Sequence, residues 1–121
     1  MKKKILIVDD DPRNIFALKL TLKARGYAVE TCTTAQEAFD ILGSGHHFSV
    51  VLMDMMMPGI DGYEAVRIIR NTPEITNIPV IAVTAQAMPE DRQKCMEVGA
   101  DEYVSKPIDV DLLITTIEKF S

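Results

Sequence analysis

Cysteine is scarce in this chain of 121 residues. Its two thiols, Cys32 and Cys95, stand far apart, in no CxxC spacing and with no histidine beside either. A disulfide framework or a cysteine-ligated zinc site is therefore a poor reading, and both thiols are expected to be reduced and partly buried. No apolar run comes near the ~20 residues that cross a bilayer, so no membrane partner is expected. Met1-Lys2-Lys3-Lys4 is followed by only four apolar residues before three aspartates. That is too short for a secretory signal and leads to the expectation of a cytoplasmic protein. Basic clusters are missing as well, and the formal charge of -5 argues against nucleic acid as a direct partner, because phosphate backbones need grouped Lys and Arg. Linkers, repeats and low-complexity segments are absent. His46-His47 falls in a glycine-flanked loop with no third ligand in view and reads as a solvated turn.

What is present is a globular composition, 47% hydrophobic and 26% charged. A chain of this length fits one domain, residues 1–121, and buries a core without disulfide or metal staples. The central stretch is Val50-Val-Leu-Met-Asp54, followed by three methionines and then Pro58, Gly59 and Asp61-Gly62. An unalternating apolar run that ends in one carboxylate and then in turn residues suits a strand buried on both faces of a parallel sheet. Asp54 then stands at the strand's carboxyl end, the edge where open α/β sheets bind ligands.

The same unit recurs along the chain. Ile5 to Val8 is a buried strand ending in Asp9-Asp10-Asp11. Pro12 then opens a helix that Asp11 caps, with Ile15, Leu18 and Leu22 inward and Gly26 at its end. Ala28 to Thr31 is a more polar edge strand, and Thr34 with Glu37 forms a capping box for a helix carrying Ala38, Ile41 and Leu42 inward. Asp61 and Glu64 cap the third helix, with Ala65, Ile68 and Ile69 inward. Val80 to Val83 runs into Thr84. A weakly amphipathic fourth helix begins at Pro89 with Met96 as its apolar residue, and is expected to sit loosely. A short strand around Glu102 to Val104 ends in Ser105-Lys106-Pro107, and Asp109 caps a last helix with Leu113, Ile117 and Phe120 inward. Five strands alternating with five helices make a parallel sheet with helices on both sides.

The polar strand ends are Asp9-Asp10-Asp11, Asp54, Thr84 and Lys106. If the strands that bear them are neighbours, about 4.8 Å apart, these groups share one crevice. Carboxylates crowded there repel one another unless a cation joins them. Oxygen donors without His or Cys favour Mg²⁺ over zinc, copper or iron. With that charge balanced, Asp54 is an ionised nucleophile of the kind that forms aspartyl phosphates. Lys106 and Thr84 are placed to hold phosphoryl oxygens. The run of methionines from Met53 to Met57, broken only by Asp54, reads as space-filling beside the sheet rather than as a soft-metal site.

Asp9-Asp10, Asp54-x-x-Met57-Pro58-x-x-Asp61-Gly62, Thr84-Ala85, Gly99-Ala100-Asp101-x-Tyr103 and Lys106-Pro107 together resemble the receiver domain of two-component response regulators, in order and spacing over essentially the whole chain. The resemblance implies a flavodoxin-like (βα)5 doubly wound sheet of order 2-1-3-4-5. It implies that Asp54 takes a phosphoryl group from a sensor histidine kinase or phosphotransfer protein. Asp10, Asp54 and the backbone carbonyl of Met56 would bind Mg²⁺, with Asp9 acting through water. Thr84 and Tyr103 would be the switch residues that alter the face made by the fourth helix, fifth strand and fifth helix, the face that signals to an effector protein or domain. Lys106-Pro107 would be a cis peptide. Such a domain is not a metabolic enzyme and catalyses only its own phosphorylation and dephosphorylation.

Met56 and Gln86 stand where family members vary and influence phosphate loss. An apolar Met56 cannot orient a water, so a long-lived phosphorylated state is expected. Ile108 replaces a phenylalanine common in the family, with little expected effect. Asn14 and Ala17, with the loops at Pro58 and Pro107, are the expected docking surface for the phosphodonor. A phosphatase of the haloacid-dehalogenase type would use Asp9-x-Asp11, but Pro12 disagrees with its motif and Asp54 is left without a role. An FMN-binding flavodoxin is disfavoured because three aspartates would repel the phosphate. A receiver that works without phosphorylation is the weakest rival, since no expected residue is missing. The kinase, the output, a homodimer formed on phosphorylation, and a stand-alone protein versus part of a longer one all stay open.

Overall fold

The computed structural model of the protein describes residues 3–85 and 88–120. Ten elements alternate: β1 (Lys4–Val8), α1 (Pro12–Ala24), β2 (Ala28–Cys32), α2 (Ala35–Leu42), β3 (Val50–Asp54), α3 (Gly62–Arg70), β4 (Val80–Thr84), α4 (Pro89–Glu97), β5 (Glu102–Ser105) and α5 (Val110–Glu118). The strands form one parallel sheet in the order β2-β1-β3-β4-β5. The chain reverses its direction of travel across the sheet between β1 and β3, which makes the carboxyl ends of these two strands the natural ligand crevice.

Alternation of side chains along each strand divides the apolar residues into two layers. Ile5, Ile7, Val50, Leu52, Ile81 and Val83 pack with Leu18 and Leu22 of α1 and with Leu113 and Ile117 of α5. Leu6, Val8, Val51, Met53, Val80 and Ala82 face the other way, onto α2, α3 and Cys95 of α4. β1, β3 and β4 are covered on both sides, which is why their sequences read as unbroken apolar runs.

Caps fall where the sequence puts short polar residues. Asp11 accepts from the Arg13 N–H at 2.9 Å, Thr34 from Glu37 at 3.1 Å, Asp61 from Glu64 at 2.9 Å and Asp109 from Leu112 at 3.2 Å. The reciprocal half of the two expected capping boxes differs. Glu37 accepts from the Thr33 N–H and from both threonine hydroxyls, and Glu64 turns to Arg67 at 3.5 Å. After α4, Gly99 has φ +114°, a left-handed position that β-carbons disfavour. α3 opens on Gly62, where a Cβ would overlap the backbone of Met55 and the Asp54 carbonyl oxygen, so its start lies flush against the end of β3.

α4 exposes most of its surface, as its weak amphipathicity predicts, and the inward face of α3 is broader than expected. α4 buries Cys95, fully covered beside the Tyr63 hydroxyl, while Met96 is 37% exposed. α3 buries Tyr63 and Val66 besides Ala65 and Ile69, and Ile68 is only half-buried. At the opposite end of the domain from the strand carboxyl ends, Arg70 closes α3 onto two loops. Its guanidinium donates to the carbonyls of Thr76, Ile78 and Gly99 and to Asp101, each at 2.8 Å, and Asp101 also accepts from the Val80 N–H at 2.8 Å.

Candidate functional site

Asp9 and Asp10 follow β1 directly, and Asp54 is the last residue of β3, paired in register with Val83 of β4. The oxygens that Asp9, Asp10 and Asp54 offer lie within 4.8 Å of one another. Asp9 is 3% exposed and Asp54 4%, whereas Asp10 faces solvent. From the end of β5, the Lys106 ammonium stands 3.7 Å from Asp9 and 3.8 Å from Asp54. Backbone bonds fix the rim. The Met55 N–H donates to the Val83 carbonyl at 2.9 Å and the Lys106 N–H to the Thr84 carbonyl at 2.8 Å, while the Asp9 carboxylate accepts from the Asp11 N–H at 2.8 Å.

The Met56 N–H donates to Asp54 Oδ1 at 3.0 Å. Burial pushes the Asp54 carboxyl up from 3.8 to about 6; Asp9 adds to the rise, and the Met56 N–H and the Lys106 ammonium oppose it. Two buried acids thus share one ammonium with a third acid beside them, and neither lysine distance is short enough for a strong charged hydrogen bond. This donor set is hard, anionic and short of positive charge. It fits a divalent ion with oxygen ligands, and the exposed Asp10 side leaves room for that ion's waters.

Thr84 is fully buried at the end of β4, in register with Ser105. Tyr103 is half-buried against the α2–α4 layer, and burial raises its phenol, helped by Cys95 and Asp91 of α4. The Lys106–Pro107 peptide is cis. Asn14 and Ala17 line a groove of about 260 Å³ together with Leu18, Thr21, Lys106 and Pro107. Pro58 is exposed but outside this groove. Thr21 belongs to the same surface and was not singled out from sequence, although the spacing 14, 17, 18, 21 already puts it on one helical stripe. Gln86 lies outside the described residues. His46 and His47 are exposed, and the one acidic or metal-ligating group of three found among the described residues is the Asp9, Asp10, Asp54 cluster.

A doubly wound α/β domain with three carboxylates and a lysine at its switch point belongs to the class of α/β domains whose strand ends form an acidic, cation-seeking pocket. Residues 5–118 match the family model of the response regulator receiver domain, and the chain belongs to that family. It is 36% identical over 120 residues to the polar-differentiation response regulator DivK of Brucella ovis, covering 99% of this chain and 97% of that one. The chemotaxis protein CheY4 of Vibrio cholerae superposes with a TM-score of 0.91 at 29% identity over the whole of both chains. The receiver domain of the sensor histidine kinase PA1611 of Pseudomonas aeruginosa, solved with a magnesium ion in its active-site cleft, superposes with a TM-score of 0.89 at 30% identity, covering 99% and 98% of the two chains. No helix among the described residues is long and apolar enough to cross a membrane.

Proposed function

We propose that residues 1–121 form a single receiver domain in which Asp54 is the phosphoacceptor, taking its phosphoryl group from a phosphohistidine of a cytoplasmic kinase or phosphotransfer protein. The observation that carries this reading is the buried Asp54 carboxylate, flanked by two further acids and by the Lys106 ammonium at 3.8 Å. An Asp54 oxygen attacks phosphorus as the P–N bond to imidazole breaks, and the imidazole keeps the electron pair and takes up a proton. Lys106 neutralises charge that spreads over the phosphoryl oxygens, and the Thr84 hydroxyl donates to one of them. Asp10, Asp54 and the Met56 carbonyl would hold Mg²⁺, with Asp9 assisting through water. Bound there, the ion supplies the positive charge that three acids and one lysine lack.

The switch runs through Thr84 and Tyr103 to the face formed by α4, β5 and α5. α4 supports that role because it contributes one buried residue, Cys95, to the core. An effector, or a second copy on phosphorylation, would use that face. The phosphodonor docks along the groove of Asn14 and Ala17, with Pro58 at its edge of the rim. A charged or bulky substitution at Ala17 is expected to slow transfer from the donor protein without slowing labelling by a small phosphodonor.

Intact-mass measurement after incubation with acetyl phosphate and Mg²⁺ tests the reading. The parent gains one phosphoryl group, and neither Asp54→Asn nor the parent in EDTA does. Labelling of Asp54→Asn to the parent's extent overturns it. Met56→Asn is expected to lose phosphate faster than the parent, because an amide can orient water where a thioether cannot.

A further inference from the structure

Three methionines cluster after the acceptor, and they differ sharply in exposure. Met55 is fully buried and Met57 is 6% exposed, while Met56 between them is 52% exposed. The Met56 N–H bonds the Asp54 carboxylate at 3.0 Å, so this accessible thioether leaves the backbone beside the reacting group. The thiols are poor competitors for an oxidant. Cys32 and Cys95 are buried, and burial pushes the Cys32 thiol up to about 12 and raises Cys95, so neither supplies thiolate near neutral pH.

We infer that Met56 is a reversible oxidation site that sets how long the domain stays phosphorylated, with a peroxide as oxidant. The inference rests on the phosphoacceptor reading of Asp54. In the chemical step a sulfur lone pair attacks one oxygen of hydrogen peroxide, the O–O bond breaks, an S–O bond forms, and the proton on the transferred oxygen passes to the departing hydroxide, which leaves as water. Sulfur loses two electrons and the peroxide gains them. The product carries an oxygen on Sδ, the same number of bonds from Cα as the Oε of glutamine or glutamate. An apolar side chain that cannot hold a water thereby becomes a hydrogen-bond acceptor of glutamine reach. Oxidation of Met56 shortens the phosphorylated state, and methionine sulfoxide reductase restores it.

The test has two independent readings. First, the unphosphorylated protein is treated with limiting hydrogen peroxide and its methionines are mapped by peptide mass. Met56, with Met88 and Met96, the other exposed methionines among the described residues, is oxidised well before Met53 and Met55. Second, oxidised and untreated samples are labelled with acetyl phosphate and Mg²⁺, freed of donor, and followed by intact mass. The oxidised protein loses phosphate about 3-fold faster or more, below the ~10²-fold of a fully positioned general base. The acceleration persists in Met88→Leu/Met96→Leu, is absent when Met56→Leu is compared before and after peroxide, and reverses on treatment with the reductase. Met56 oxidised no faster than Met53, or an unchanged or slower decay after its oxidation, overturns the inference. Failure of the untreated protein to take any phosphoryl group overturns the phosphoacceptor reading instead.

Discussion

The two ends of the sheet each hold a charged cluster, and they are built in opposite ways. At the amino end one cation, Arg70, meets four acceptors at 2.8 Å, and the single acid it touches is itself bonded to the backbone of β4. At the carboxyl end one cation, Lys106, meets two buried acids at 3.7 and 3.8 Å with a third acid beside them. The first cluster is saturated: its guanidinium fork satisfies three loop carbonyls and a carboxylate, so it fastens α3 to the loops before β4 and β5. The second cluster is left in deficit, with Asp54 raised to about 6 by its burial. A charged network that closes on itself holds a fold together. One that stays short of a partner costs stability and is poised to take a ligand.

Substitutions at the two ends should therefore act with opposite sign. The largest effect is expected at Arg70. Arg70→Met leaves three carbonyls without their donor and Asp101 with the Val80 N–H alone, and should cost about 3 kcal/mol, read as a lower midpoint in urea. A change within experimental error would make that cluster decorative and dissolve the contrast.

At the carboxyl end the sign reverses, and Asp54→Asn should stabilise the metal-free protein by about 2 kcal/mol. Because the folded pKa of Asp54 is raised from 3.8 to about 6, its favourable contribution is complete below the unfolded value and lost as pH rises through the folded one. The gap between variant and parent should thus open between pH 4 and 7, near the cited pKa values, in thermal melts without metal. Magnesium should then raise the melting temperature of the parent more than that of Asp54→Asn. A parent that melts above the variant in EDTA would show that the carboxylate is already compensated.

The smallest effect belongs to neither cluster. Phe16 and Leu20 are 69% and 62% exposed on the outer face of α1, and Phe16→Ser or Leu20→Ser should change stability by no more than about 0.5 kcal/mol.

The carboxyl end was far more legible in the sequence than the amino end. Asp54 and Thr84 end short buried runs, so each announces itself as a break in an apolar string, while Lys106 follows the mixed strand β5 and is picked out, like the strand order, by the family's pattern of residues. Arg70 gives no such signal. It lies in a helix beside other charges, and its four acceptors are mostly backbone carbonyls whose positions depend on two loops and on Gly99. The weak amphipathicity of α4 announced a loosely held, largely exposed helix, and the structure agrees; its one buried residue, the small Cys95, carries no signal in the sequence. Pro58 does not line the groove, which follows the α1 stripe toward Pro107, Ile108 and Val110.

Gly62 has a mechanical consequence. A β-carbon there would overlap Met55 and the Asp54 carbonyl, so β3 and α3 meet with no room for a side chain between them. Any side chain at position 62 would have to push the start of α3 away from the end of β3. α4 is the contrast, held to the core by one small buried side chain, Cys95.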